Sequence, residues 1–206
     1  MGSAQRSVAI GDLHGEVSLL RALIQQIPPD GVQLLFLGDY LDRGEDSLGT
    51  IQFLWELAQE RACVFLRGNH DAAWLDVWNG DRFVRCPAIP GARKVWEAAH
   101  GQVPPLVGAF LARTHLDWED ADAYYAHAGA LPDCSFRKTP TEVKLWGTET
   151  FLTSPYDWGK PVVFGHYELT EPLLTPTKCG IDTAAYRTGC LTALNVHTRQ
   201  VIQAAR

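Results

Sequence analysis

The sequence predicts an α/β fold, and three observations carry that prediction. The first half alternates short apolar runs with segments of helical periodicity. Three of the runs end in a glycine followed by Asp or Asn, and from Ala123 onward the chain reads mostly as further strands. Continuous apolar strands with helical crossovers make a parallel sheet covered on both faces. Ligands of such sheets gather beyond the carboxyl ends of the strands, where all three polar endings fall.

The elements follow in order. Val8-Ala9-Ile10 is a strand that enters Gly11-Asp12-Leu13-His14-Gly15. Residues 16–27 then place Val17, Leu19, Leu20, Leu23, Ile24 and Ile27 at helical spacing and stop at Pro28-Pro29. A second strand, Gln33–Leu37, enters Gly38-Asp39-Tyr40-Leu41-Asp42-Arg43-Gly44, and a helix over Ser47–Gln59 turns Leu48, Ile51, Leu54, Trp55 and Ala58 to one face. The third strand, Cys63–Leu66, enters Arg67-Gly68-Asn69-His70-Asp71. Residues 72–118 read as a helical, cap-like insertion within a single domain of residues 1–206, shaping the pocket and substrate choice. Its helices are expected over Ala72–Trp78 and near Ala92–Ala99 and Leu106–Thr114. Trp74, Trp78 and Trp96 read as core, because aromatics at helical spacing usually pack inward. Tyr124-Tyr125-Ala126 enters His127-Ala128-Gly129, and Pro161–Phe164 enters Gly165-His166. Gly180–Thr183, Cys190–Val196 and Gln200–Ala204 read as strands of a second sheet, and Asp117–Asp122 as a solvated acidic turn.

Composition narrows the function. With 206 residues, 46% of them hydrophobic, the chain can bury a sizeable core. No run of apolar residues is long enough to span a membrane, and MGSAQRS lacks the apolar middle of a signal peptide. Five cysteines, an odd number with no CxxC, point to reduced thiols in a cytoplasm. Cys63 and Cys190 read as small core residues. A net charge of −6 argues against nucleic acid, whose phosphates need a basic face.

The strand ends collect Asp12, His14, Asp39, Asn69, His127 and His166. This set offers oxygen and imidazole but no thiolate, which favours Mn, Fe or Zn over a structural zinc–thiolate site. Six donors exceed the need of one tetrahedral ion, so a two-metal centre with a bridging carboxylate is the economical reading. Two divalent ions, two aspartates and one hydroxide leave about +1, suited to a phosphate anion. Two such ions also favour in-line displacement at phosphorus, hence phosphoester hydrolysis. His100, His115 and His197 fall outside any motif and read as structural or surface residues.

GDLHG, GDYLDRG, GNHD, His127 in HAG and His166 in GH together resemble the calcineurin-type metallophosphoesterases. The DRG ending and the late IDT-to-LTAL run resemble the bacterial and phage phosphoprotein phosphatase branch. The resemblance spans nearly the whole chain and implies a four-layer α/β/β/α sandwich. It also implies two divalent ions, manganese first, with iron or zinc as alternatives. Asp12, His14 and Asp39 would hold one; Asp39, Asn69, His127 and His166 would hold the other. A bridging hydroxide would attack phosphorus directly, and His70 would protonate the leaving alkoxide. Asp42 would orient His70 and keep it charged, while Arg43 grips phosphate oxygens. The branch usually carries a further Arg in Leu-Trp-x-Arg; here Leu145-Trp146-Gly147 is followed by Thr148, and Arg67 or Arg187 is the available substitute. The expected activity is dephosphorylation of phosphoserine or phosphothreonine proteins, with diadenosine tetraphosphate hydrolysis as the alternative. A non-catalytic phospholigand-binding module is disfavoured, because it would tolerate loss of the His70/Asp42 pair.

Overall fold

The computed structural model describes residues 6–206. Most of the amino-terminal MGSAQRS, read above as no signal peptide, lies outside them. Among the described residues no helix is long and apolar enough to cross a membrane.

The predicted alternation folds as β1 (Arg6–Ile10), α1 (Val17–Ile24), β2 (Val32–Phe36), α2 (Ser47–Glu60), β3 (Cys63–Phe65) and α3 (Asn69–Leu75). Two further helices, α4 (Ala92–Ala98) and α5 (Pro105–Leu111), precede the second half. That half contributes β4 (Asp117–Glu119), β5 (Tyr124–Ala126), α6 (Thr141–Trp146), α7 (Glu149–Thr153), β6 (Val162–Phe164), β7 (Leu173–Leu174), β8 (Lys178–Gly180), α8 (Ala185–Thr188), β9 (Cys190–Asn195) and β10 (Gln200–Ala205). Two five-stranded sheets result, ordered β10-β9-β1-β2-β3 and β4-β5-β6-β8-β7.

Alternation along the strands builds the layers. Val8, Ile10, Leu34 and Phe36 point into one cluster with Leu20, Leu23, Ile51 and Leu54 of the covering helices. Their neighbours Ala9, Leu35 and Leu37 point the other way, to meet Tyr125, Val163 and Cys179 of the second sheet. Tyr124, Val162 and Phe164 face outward from that sheet and are covered by Phe151. Because successive side chains of a strand point to opposite faces, doubly apolar strands can sit only in the middle of such a stack. The α/β/β/α sandwich follows.

Three expectations need correction. β9 and β10 extend the first sheet rather than the second: β9 runs antiparallel to β1, with Val8 opposite Asn195 and Ile10 opposite Ala193. A period-two pattern shows that a strand is buried, not which neighbour it pairs with. Asp117–Glu119 is an edge strand beside β5, held by the Asp117–Lys144 ion pair at 2.7 Å. The stretch read as mostly β also contains α6 and α7, each too short for helical periodicity to register, anchored by Leu145 and Phe151.

Within residues 72–118, Trp74 is fully buried, and Val95, Val107 and Phe110 join the cluster behind the first sheet. Trp78 and Trp96 pack against that cluster. All five cysteines are free thiols, with Cys179 buried between the sheets and Cys63 at the edge of the first core.

Candidate metal centre

The polar strand endings converge on one rim between the two sheets. His14, Asp39, Asp42, Arg43 and His166 all adopt positive φ, at 41°, 52°, 74°, 60° and 63°. Left-handed backbone costs an ordinary residue about 1–3 kcal/mol and persists only where its surroundings enforce it. Here the loops pin one another. His14 N–H donates to the Asp39 carbonyl at 2.7 Å, and Gly15 N–H to that of Tyr40 at 3.0 Å. The buried Asp71 carboxylate accepts the N–H groups of Asp39 (2.8 Å), Tyr40 (3.1 Å) and Gly68 (2.8 Å). Gly68 must be glycine, because a Cβ there would collide with the Asp39 carboxylate.

Two triads share Asp39: His14, Asp39 and His70, and Asp12, Asp39 and His127, each with its ligand atoms within 4.8 Å of one another. Asn69 Oδ1 lies 2.9 Å from His127 Nε2 and 3.1 Å from His166 Nδ1. His166 N–H donates to Asp12 Oδ2 at 3.0 Å. All six residues read as ligands therefore meet in one cluster, and His70 stands among them.

His70 Nδ1 donates to Asp42 Oδ2 at 2.6 Å, and Trp74 Nε1 donates to Asp42 Oδ1 at 3.0 Å. Arg43 Nη2 comes within 3.4 Å of the other His70 nitrogen. Arg67 is turned elsewhere, to the hydroxyl (3.0 Å) and carbonyl (3.1 Å) of Thr114. Arg187 lies at the mouth on Glu168, 2.8 Å away. Thr148 is the extended residue that caps the start of α7, and its N–H donates to Tyr167 Oη at 3.2 Å. The sequence reading missed Trp74 as a support for Asp42, Asp71 as the clamp, and Asp182. The last lies within Gly180–Thr183, which the sequence reading takes only as a strand.

The family model of the calcineurin-like phosphoesterases matches residues 6–183. The chain belongs to this family. A bis(5'-nucleosyl)-tetraphosphatase (asymmetrical) of Geobacillus sp. strain WCH70 is 28% identical, over 89% of this chain and 87% of its own length. Serine/threonine-protein phosphatase 2 of Salmonella typhimurium is 26% identical over 91% of each. The solved structure of a candidate diadenosine tetraphosphatase shares the fold at a TM-score of 0.76 and 22% identity, covering 99% of this chain and 95% of that one.

Calcineurin-like phosphoesterases carry a dinuclear divalent metal centre, and the residues present fit one. His14 and His127 each spend Nδ1–H on a backbone carbonyl, of Leu41 at 2.8 Å and Leu37 at 2.9 Å. Their Nε2 lone pairs then face the Asp39 carboxylate (3.4 Å) and the Asn69 oxygen (2.9 Å). Acceptor facing acceptor calls for a cation between them, and a backbone partner on the far nitrogen is the usual support of a ligating histidine. Asp12 Oδ1 is buried without any hydrogen-bond partner.

Electrostatics agree. Burial, then Asp182 and Asp39, push the Asp12 carboxyl well above the usual range. Burial also pushes Asp39 up, but His127, His14 and His70 outweigh it and hold that carboxyl at about 2. Burial lowers His14 and His166 to about 4 and lowers His127, leaving these rings as neutral donors at pH 7. Asp182 is raised from 3.8 to about 6, chiefly by burial. Below pH 3.8 Asp182 is protonated in both folded and unfolded states, so its ionisation costs nothing. The cost grows as pH rises from 3.8 to 6 and is complete above 6. Ion-free Asp182→Asn is therefore expected to exceed the wild type in stability at pH 7.5 by on the order of 1–3 kcal/mol, with a narrower gap at pH 4. Thermal melting of chelated protein at both pH values checks this, and added divalent ions should shrink the gap.

Proposed function

We propose that this calcineurin-like phosphoesterase hydrolyses dinucleoside polyphosphates, using two divalent ions held by Asp12, His14, Asp39, Asn69, His127 and His166. The observation that carries the nucleotide reading is its near full-length similarity to a tetraphosphatase. The sequence reading puts phosphoproteins first; the balance moves because that relative is matched end to end at slightly higher identity than the protein phosphatase. A surface feature fits the same reading. Trp146 is 48% exposed, and its ring lies nearly perpendicular to the His166 ring with centroids 6.4 Å apart, placing an accessible indole beside the site. The phosphoprotein reading remains second, supported by Asp42-Arg43-Gly44 and the Salmonella relative. We take residues 1–206 as one domain, with 72–118 bordering the site through Gly91, which abuts Asp42 and Arg43. Free thiols throughout suit a cytoplasmic enzyme.

Bound divalent ions, manganese in the first instance, would neutralise phosphate charge and acidify a water. The chain's own groups do the rest. Arg43 offers its fork of donors to phosphate oxygens, and His70 delivers a proton from Nε2 to the leaving oxygen. Asp42 holds Nδ1 and is itself fixed by Trp74, so the imidazole keeps one tautomer and one direction.

The test is a panel of diadenosine tetraphosphate against phosphoserine and phosphothreonine peptides, with manganese present. The nucleotide is expected to lead in kcat/KM by about tenfold or more, a difference of ~1.4 kcal/mol in transition-state binding. Peptides in the lead would return the chain to the protein phosphatases. Inertness of both would remove the hydrolase reading. Trp146→Ala is expected to lower kcat/KM for the dinucleotide by roughly 5- to 100-fold, the range of one base–aromatic stack. It should cost p-nitrophenyl phosphate much less; equal losses on both would dismiss the stacking role.

A further inference from the structure

Three donors from two separate segments converge on one carboxylate at the mouth of the site. Arg43 Nη1 donates to Glu168 Oε1 at 2.7 Å, and Tyr186 Oη donates to the same oxygen at 2.8 Å. Arg187 Nη2 reaches the other oxygen, Oε2, at 2.8 Å. Arg43 also lies over the Tyr186 ring, 5.0 Å from its centroid, while its Nη2 borders His70. The guanidinium that adjoins the proton donor is thus already engaged by an anion belonging to the chain.

Two guanidiniums and a phenol around a pair of carboxylate oxygens present the donors that phosphoryl oxygens also require. The arrangement is half open: the Arg43 and Glu168 side chains are 27% and 31% exposed, and Arg187 is 63% exposed. Ion pairs so exposed add little stability, so exchanging one anion for another is inexpensive. Glu168 sits two residues beyond His166, tethered to the rim, and need only swing outward to yield its place.

We propose that Glu168 is a built-in competitor for phosphate. It occupies Arg43, Arg187 and Tyr186 until a phosphoryl group displaces it, and so sets the affinity of the site for anions. The proposal rests on the reading above that phosphoryl groups dock beside Arg43. A highly charged polyphosphate overcomes such a competitor more readily than a single phosphate does, so Glu168 would favour long anionic chains and hasten release of small products.

The experiment measures equilibrium binding of inorganic phosphate to the full-length, manganese-loaded protein by calorimetry, without reference to turnover. Glu168→Gln removes the negative charge while keeping the size, and is expected to bind phosphate roughly 3- to 30-fold more tightly than the wild type. Arg187→Gln is expected to bind it more weakly. Glu168→Ala provides the same reading should the glutamine variant fold poorly, with thermal melting as the control. Unchanged or weaker binding in the Glu168 variants, with normal binding in the wild type, would mean that the carboxylate merely props Arg43, and would overturn this proposal alone. Absence of phosphate binding in wild type and variants alike would remove the hydrolase reading and this proposal together.

Discussion

Replacing His70 by asparagine is expected to lower kcat on a poor leaving group by about 10²–10⁴, the usual share of a general acid. Ion binding should change far less. The geometry separates the two effects. His70 is held through Nδ1 by Asp42 at 2.6 Å, and Asp42 is held by the Trp74 indole at 3.0 Å. The six candidate ligands are fixed by other means, through backbone carbonyls for His14 and His127 and through Asp71 for the Asp39 loop. Although His70 lies in one of the two triads, its Nε2 is bordered by the Arg43 guanidinium at 3.4 Å, whose charge opposes a cation at that nitrogen. The leaving group supplies the decisive comparison. An activated aryl phosphate needs little protonation, so the variant should lose much less on p-nitrophenyl phosphate than on an alkyl phosphate or nucleotide. Equal losses on both substrates, or a proportionate loss of bound manganese, would place His70 among the ligands instead.

The fold class and the pocket were legible because both rest on local pattern. Apolar runs ending in Gly-Asp, Gly-Asn or Gly-His announce a strand followed by a turn, and the strands of a layered sheet deliver those turns to one rim. Sheet membership of β9 and β10 was not legible, because pairing is decided by which neighbour completes the apolar layer. Leu194 fills the space between the sheets while Leu191 and Ala193 face the helices. Arg67 and Arg187 looked alike as substitutes for the cation absent at Thr148. Only three dimensions show that one turns to Thr114 while the other stands at the mouth. The supporting residues escaped notice for a related reason. Trp74 has the spacing of an ordinary core residue, and its single polar atom matters only because Asp42 is beside it.

Asp71 carries the largest expected structural effect, although the sequence reading gives it no role beyond closing the GNHD motif. It is wholly buried, and all three of its partners are N–H donors, two of them on Oδ2 and one on Oδ1. Burial and Asp39 push its carboxyl up while those N–H groups oppose the shift. Since both oxygens serve only as acceptors, the ionised form is the one that fits. Asp71→Ala would leave three buried donors unpaired, at about 1–3 kcal/mol each before relaxation, so a loss of roughly 3–5 kcal/mol is expected. For a domain of this size that corresponds to a fall in Tm of about 8–15 °C. Asp71→Asn should do nearly as badly, because its NH₂ must confront an N–H on one side or the other. The clamp also enforces the left-handed turn at Asp39, the one carboxylate common to both triads. Releasing that turn is therefore expected to weaken both ion sites together, by at least the 10- to 100-fold typical of lost outer support. Melting curves and manganese titration read the two consequences separately. A variant that melts within 3 °C of the wild type, or one that binds ions normally, would show that the Gly38–Asp39 turn holds its shape unaided.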